Sequence, residues 1–120
     1  MFELRLNNNT IHLKWGTWAM REFCKEYEIT LEKYFEILAT SQKNIDVIIK
    51  LFHIGYKSAC ISKKEEIIYN EDDVCEWMDE IGSIFKSDGA LVDYFKYILS
   101  NTNINVNTPK ETEKKKASKN

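Results

Sequence analysis

Residues 44–59, "NIDVIIKLFHIGYKSA", decide how the rest of this chain is read. Asp46, Lys50, His53 and Lys57 recur at i, i+4, i+7 and i+11, which is one narrow stripe on an α-helix. Nearly every other position is apolar, from Ile45 through Ile48 and Phe52 to Tyr56. A helix apolar around so much of its circumference is central and touches neighbours on two or more sides. The other reading is that one apolar flank, with Val47, Leu51 and Ile54, is a surface for a partner.

The segments on either side supply neighbours for such a helix. Towards the N-terminus, "FELRLNNNTIHLKW" alternates Phe2, Leu4 and Leu6 with Glu3 and Arg5, then Ile11, Leu13 and Trp15 with His12 and Lys14. Period two with an asparagine-rich connection predicts a β-hairpin over 2–15. A two-stranded hairpin is marginal alone, so its apolar face should pack on helices. Gly16 breaks the alternation and Thr17 can cap a helix over 17–28, with Ala19, Met20, Phe23, Cys24 and Tyr27 as its buried stripe. Thr30 caps a second helix over 30–39, on the spacing of Leu31, Tyr34, Phe35 and Leu38. The central helix begins at Ser41 or Asn44 and ends near Ala59.

Towards the C-terminus, "SKKEEIIYN" (62–70) reads as a connection with a short extended piece at Ile67 to Tyr69. Asn70 caps a fourth helix over 71–81, whose first turn carries Glu71, Asp72 and Asp73, where the helix dipole favours anions. Gly82 marks its end, and Ile84 and Phe85 form a hydrophobic bridge. A fifth helix is predicted over 88–100, with Leu91, Tyr94, Phe95 and Ile98 inward. From Asn101 the periodicity vanishes, and 101–120 reads as a disordered basic tail. The expected fold is mainly α (α+β): one globular domain over 1–100, a small N-terminal hairpin packed on a bundle of about five helices.

Composition excludes several function classes. The longest apolar run is far short of a membrane span, and the N-terminus has no apolar signal-peptide core, so a cytoplasmic protein with no membrane contact is expected. Net charge is −2 over 120 residues. Residues 110–120 contribute +3, which leaves −5 on the first 109. An acidic body is a poor nucleic-acid binder, so no nucleic-acid partner is expected. Cys24, Cys60 and Cys75 are separated by 36 and 15 residues, which matches no zinc pattern, and they read as small buried hydrophobes.

Catalytic and cofactor constellations are equally sparse. Gly16, Gly55, Gly82 and Gly89 are scattered, so there is no phosphate loop. Cys60 follows His53 by seven residues, roughly 10 Å along a helix, too far for a nucleophile–base pair. His53 reads as solvent-facing and His12 as an outward residue of the hairpin. The Glu71 cluster lacks the glycine and terminal glutamate of a calcium loop. No catalytic, metal or cofactor residue is therefore expected, and no enzyme. Trp18 lies off the core stripe of the first helix, beside Glu22 and Lys25, and is either tucked against another element or exposed as a partner anchor.

Four segments, in order, carry a family resemblance: "WGTWAMREF" (15–23), "KEYEITLEKYFEIL" (25–38), "LFHIGYKSA" (51–59) and "NEDDVCEWMDEIG" (70–82). The chain resembles the tail assembly chaperones of long-tailed, non-contractile bacteriophages and their prophages. Glu28 stands where that family often has glycine, in the first inter-helix turn. The resemblance implies a non-enzymatic protein that binds the tape measure protein and keeps it soluble until the tail tube polymerises around it. It also implies a longer product made by ribosomal frameshifting, whose extra domain recruits the tail tube protein. Lys114, Lys115 and Lys116 are the candidate frameshift region, since consecutive lysines can be encoded by an A-rich slippery stretch. Self-association is compatible with the role. The expected location is the host bacterial cytoplasm, not the mature virion. The alternative is a small protein-interaction or regulatory module of phage or mobile-element origin.

Overall fold

A computed structural model describes residues 1–40, 44–82 and 89–102. The alternation at the N-terminus becomes two antiparallel strands, β1 (Phe2–Arg5) and β2 (Thr10–Leu13), in the register Phe2↔Leu13, Glu3↔His12, Leu4↔Ile11 and Arg5↔Thr10. The turn closes through Leu6 N–H donating to the Asn9 carbonyl at 2.8 Å. Leu4, Ile11 and Leu13 are buried on one face. Five helices follow among the described residues: α1 (Thr17–Tyr27), α2 (Leu31–Thr40), α3 (Ile45–Lys63), α4 (Glu71–Ile81) and α5 (Ala90–Thr102). Buried side chains from the hairpin and every helix belong to one hydrophobic cluster.

The helix ends follow local chemistry, with three differences from expectation. Asn70 and Asp73 form a reciprocal capping box at α4, Asn44 accepts from Asp46 and Val47 N–H at α3, and Thr30 Oγ1 accepts from Lys33 N–H at α2. At α1, however, the cap is Gly16, whose carbonyl accepts from Met20 N–H, and Thr17 is the first helical residue. Helix α3 runs to Lys63, four residues beyond the expected end, because Cys60 still faces the core. It stops where Lys64 turns left-handed and Glu65 N–H closes on the Cys60 carbonyl at 2.8 Å. The expected extended piece at Ile67 to Tyr69 forms no strand. Its Ile68 and Tyr69 N–H groups donate instead to the Tyr56 hydroxyl, at 2.9 and 3.3 Å.

Helix α3 is the hub, packing against β2, α1 and α4. The middle of its polar stripe, Lys50 and His53, is engaged by neighbouring segments, while Asp46 stays exposed. Lys50, with a side chain 17% exposed, reaches Glu26 of α1 at 3.2 Å and Glu71 of α4 at 2.5 Å. The hydrogen bond to Glu71, opposed by burial and reinforced by Glu26, holds its ammonium well above the usual lysine range. His53, expected to face solvent, is half-buried and donates from Nε2 to the Tyr69 carbonyl at 3.0 Å. Carbonyl oxygens of the 65–70 connection need donors, and a histidine one helical face away supplies one.

Gly55 joins three elements at one point. Its carbonyl accepts the Lys14 N–H at the end of the hairpin, at 3.0 Å. Above its Cα the fully buried Tyr94 of α5 donates its hydroxyl to the Leu51 carbonyl at 2.8 Å. A Cβ on residue 55 would lie 2.0 Å from that hydroxyl oxygen and 3.1 Å from the ring carbon bearing it. Burial pushes the Tyr94 phenol well above its ordinary value, so it stays a donor. Beside it, Trp15 donates its indole N–H to the Tyr34 hydroxyl at 2.9 Å and its backbone N–H to Tyr97 at 3.3 Å, tying the hairpin end to α2 and α5.

Two expectations lie partly or wholly outside the described residues. These are the Ile84–Phe85 bridge, and the disordered tail expected over 101–120, whose first two residues instead close α5 and whose remainder, with Lys114, Lys115 and Lys116, lies outside the described residues.

Gly55→Ala should cost about 2–3 kcal/mol of unfolding free energy in urea titrations, as an overpacked core site does. The double variant Gly55→Ala with Tyr94→Phe should recover part of that loss; strictly additive losses would count against the close approach. Glu28 closes α1 in the left-handed region at φ 51° and ψ 53°. Glu28→Gly should therefore raise stability by about 0.5–1 kcal/mol, visible as a higher urea midpoint at unchanged slope.

Candidate functional site

Sequence patterning offered Trp18, Val47, Leu51 and Ile54 as partner-binding residues, and the fold separates them. Val47, Leu51 and Ile54 are core residues, exposed by 5%, 1% and 4%. They are not available as a partner surface in this fold. The physical reason is that α3 has α1, α4 and β2 around it, and these cover the helix at Val47, Leu51 and Ile54. Of the two alternatives for the wide apolar circumference of α3, the central helix is the one observed.

Trp18 is different. It is half-buried and packed at the edge of the core. Its α1 position brings it to Ser58, Ile61 and Ser62 at the C-terminal end of α3, and together with Lys14 and Thr17 they line an open groove of about 300 Å³. Ile61 is 47% exposed. Lys14 stands at the groove's edge, donating from Nζ to Ser62 Oγ at 3.0 Å. Trp18 is thus tucked in part against the core, and it lines the groove.

Thr17 also lines a second groove, about 190 Å³, with Met20, Arg21, Cys24 and Leu31. The spacing of Thr17, Met20, Arg21 and Cys24 at i, i+3, i+4 and i+7 makes them one face of α1, and Leu31 opens α2 beside it. Leu31 is 53% exposed. Burial pushes the Cys24 thiol above its ordinary value, so it remains a neutral, weakly polar group. Thr17 joins the two grooves into one apolar strip from Ile61 to Leu31.

The chain matches no protein-family model, no curated protein and no solved structure.

Elsewhere the polar groups are engaged in structure. Lys63 Nζ donates to His12 Nδ1 at 3.0 Å, and His12 Nε2 lies 3.7 Å from Glu3. A hollow of about 300 Å³ between the hairpin and the end of α3 includes His12, Tyr56, Cys60, Lys63 and Glu65. Tyr56 spends its hydroxyl on the two backbone donors of the 65–70 connection, and burial pushes its phenol up. Cys60 is buried and His53 is held by Tyr69, so the pair is not assembled as nucleophile and base. Cys75, expected to be buried, is exposed on α4. Among the described residues no group of three or more His, Cys, Asp or Glu side chains could hold a metal, and no helix is long and apolar enough to cross a membrane.

Ile61 was not singled out by patterning, and Leu31 was placed on the inward stripe of α2, where the structure instead leaves it half exposed. The signal available was their place in otherwise apolar runs, Ile61 beyond the expected end of its helix and Leu31 at the start of its own. Neither position distinguishes a buried from an exposed side chain without knowing which faces meet.

The core and the strip should separate cleanly in stability measurements. Leu51→Ala should cost about 2–5 kcal/mol, as a large-to-small core substitution does. Leu31→Ser and Ile61→Ser should each stay within about 0.5 kcal/mol of the parent in the same denaturant titration.

Proposed function

We propose that this chain is a non-enzymatic tail assembly chaperone of a long-tailed phage or prophage, which binds the tape measure protein and keeps it soluble for tube assembly. The observation that carries the reading is the apolar strip on α1. It leaves Leu31 and Ile61 about half exposed beside α1, among large apolar side chains that folding does not bury, Ile45, Ile68 and Leu99 being others. A holdase needs apolar surface that the folded monomer does not consume, with charge around it to keep the complex soluble. The motif order over residues 15–82, matched to the hairpin, the α1–α2 pair, α3 and acid-capped α4, agrees with the resemblance on which the proposal draws.

In this reading the surface used is the α1 strip, not α3. No cofactor, metal or nucleic acid takes part. The tail tube protein is recruited by a longer frameshifted product, with Lys114, Lys115 and Lys116 as the slip region. The protein works in the host cytoplasm and is absent from the finished particle.

Co-expression with the tape measure protein encoded nearby is the test. The expected outcome is a soluble tape measure protein that co-purifies with this chain, and a precipitate when this chain is omitted. A tape measure protein equally insoluble with and without it, and never co-purifying, would sink the proposal.

A further inference from the structure

The strip on α1 carries charge of one sign. The charged side chains lining its two grooves are Lys14 and Arg21, and no carboxylate lines either groove. This stands against a background of −5 over the first 109 residues. Glu22, the carboxylate next to Arg21 on α1, is engaged by Lys25 at 3.5 Å. Lys14 uses one donor on Ser62, and an ammonium has three. Apolar side chains line both grooves: Trp18 and Ile61 in one, beside Ser58 and Ser62, and Met20, Cys24 and Leu31 in the other.

The grooves are lined mainly by helical residues. The strip therefore offers side chains and helix ends rather than a strand edge. Side-chain recognition of this kind suits an amphipathic helix, read through anchors at i, i+3, i+4 and i+7, rather than an added β-strand. A cationic rim around an apolar floor complements an apolar stripe flanked by carboxylates, and like-charged flanks would be repelled.

We propose that the α1 strip takes an amphipathic helix whose apolar stripe is flanked by aspartate or glutamate. The inference rests on the chaperone reading and specifies the client segment: an acidic helical stretch of the tape measure protein. Ile61 and Leu31 are the apolar contacts at the two ends of the strip with Trp18 between them, and Lys14 and Arg21 select the flanking charge.

Two fluorescein-labelled helical peptides test this, identical in their leucine stripe and flanked by glutamate in one and lysine in the other. Fluorescence anisotropy with the full chain should show the glutamate peptide binding about ten-fold tighter at low salt, the preference shrinking as salt screens it. Arg21→Glu, at an exposed position, should weaken the glutamate peptide about ten-fold and favour the lysine one, with an unchanged thermal melt. Leu31→Ser should weaken both peptides. Equal binding of the two peptides, binding of neither, or affinities untouched by Arg21→Glu and Leu31→Ser would overturn the inference. A dimer in sedimentation that Leu31→Ser dissociates would also overturn it, because a second copy would then be the occupant. Co-expression separates this inference from the reading beneath it. If the parent chain solubilises the tape measure protein and Arg21→Glu does so equally well, the strip fails and the chaperone reading stands. If neither solubilises it while the glutamate peptide still binds selectively, the chaperone reading fails and the acidic-helix specificity stands.

Discussion

The packing of this protein turns on one close approach, Tyr94 lying across Gly55. A side chain of any size at residue 55 would occupy the space of the phenol hydroxyl. With glycine there, α5 settles onto α3 and its tyrosine donates to a carbonyl one turn earlier on that helix. The same glycine's carbonyl receives the hairpin through Lys14 N–H. Phe2 then packs on Tyr94 at a ring separation of 5.2 Å, and Phe52 on the same ring at 4.7 Å. Hairpin, central helix and last helix are therefore positioned by a single missing Cβ, in a core that transmits displacement because it is close-packed.

That arrangement bears directly on function. Because α3 is enclosed, the apolar residues that looked available on it are consumed by folding, and Lys50 is consumed by joining α1 to α4. Apolar surface is left at several places, and beside the outer face of α1 it comes from Leu31 at the start of α2 and Ile61 at the end of α3. The strip there is modest, and its chemistry is specific: an apolar floor, two cations and no carboxylate. The proposed chaperone role needs a surface of that kind, one that covers an apolar client face and discriminates by the charge beside it.

Much of the architecture was legible because its signals are local. Period two over residues 2–15, the caps at Thr30, Asn44 and Asn70, and Gly82 at the end of α4 each depend on a few neighbouring residues, and the structure has all of them. The errors arose where a local rule met a tertiary demand. Lys64 ends α3 in a left-handed conformation that its residue type does not advertise. The extended residues before Asn70 bond to Tyr56 rather than to a strand, which no pattern within 62–70 encodes. His53 sits on a polar stripe in sequence and beneath a connecting segment in space.

The sequence by itself determined the elements and their order, because periodicity, capping and turn chemistry are properties of neighbours along the chain. Only the tertiary structure decided which apolar residues are spent. Val47, Leu51 and Ile54 are buried, while Ile61 and Leu31 of equal hydrophobicity stay at the surface. That difference depends on which helix faces meet, and their meeting depends on the backbone approach at Gly55 and the ion pairs of Lys50. Such contacts join residues about 20 to 40 positions apart, where hydrophobic periodicity carries no information.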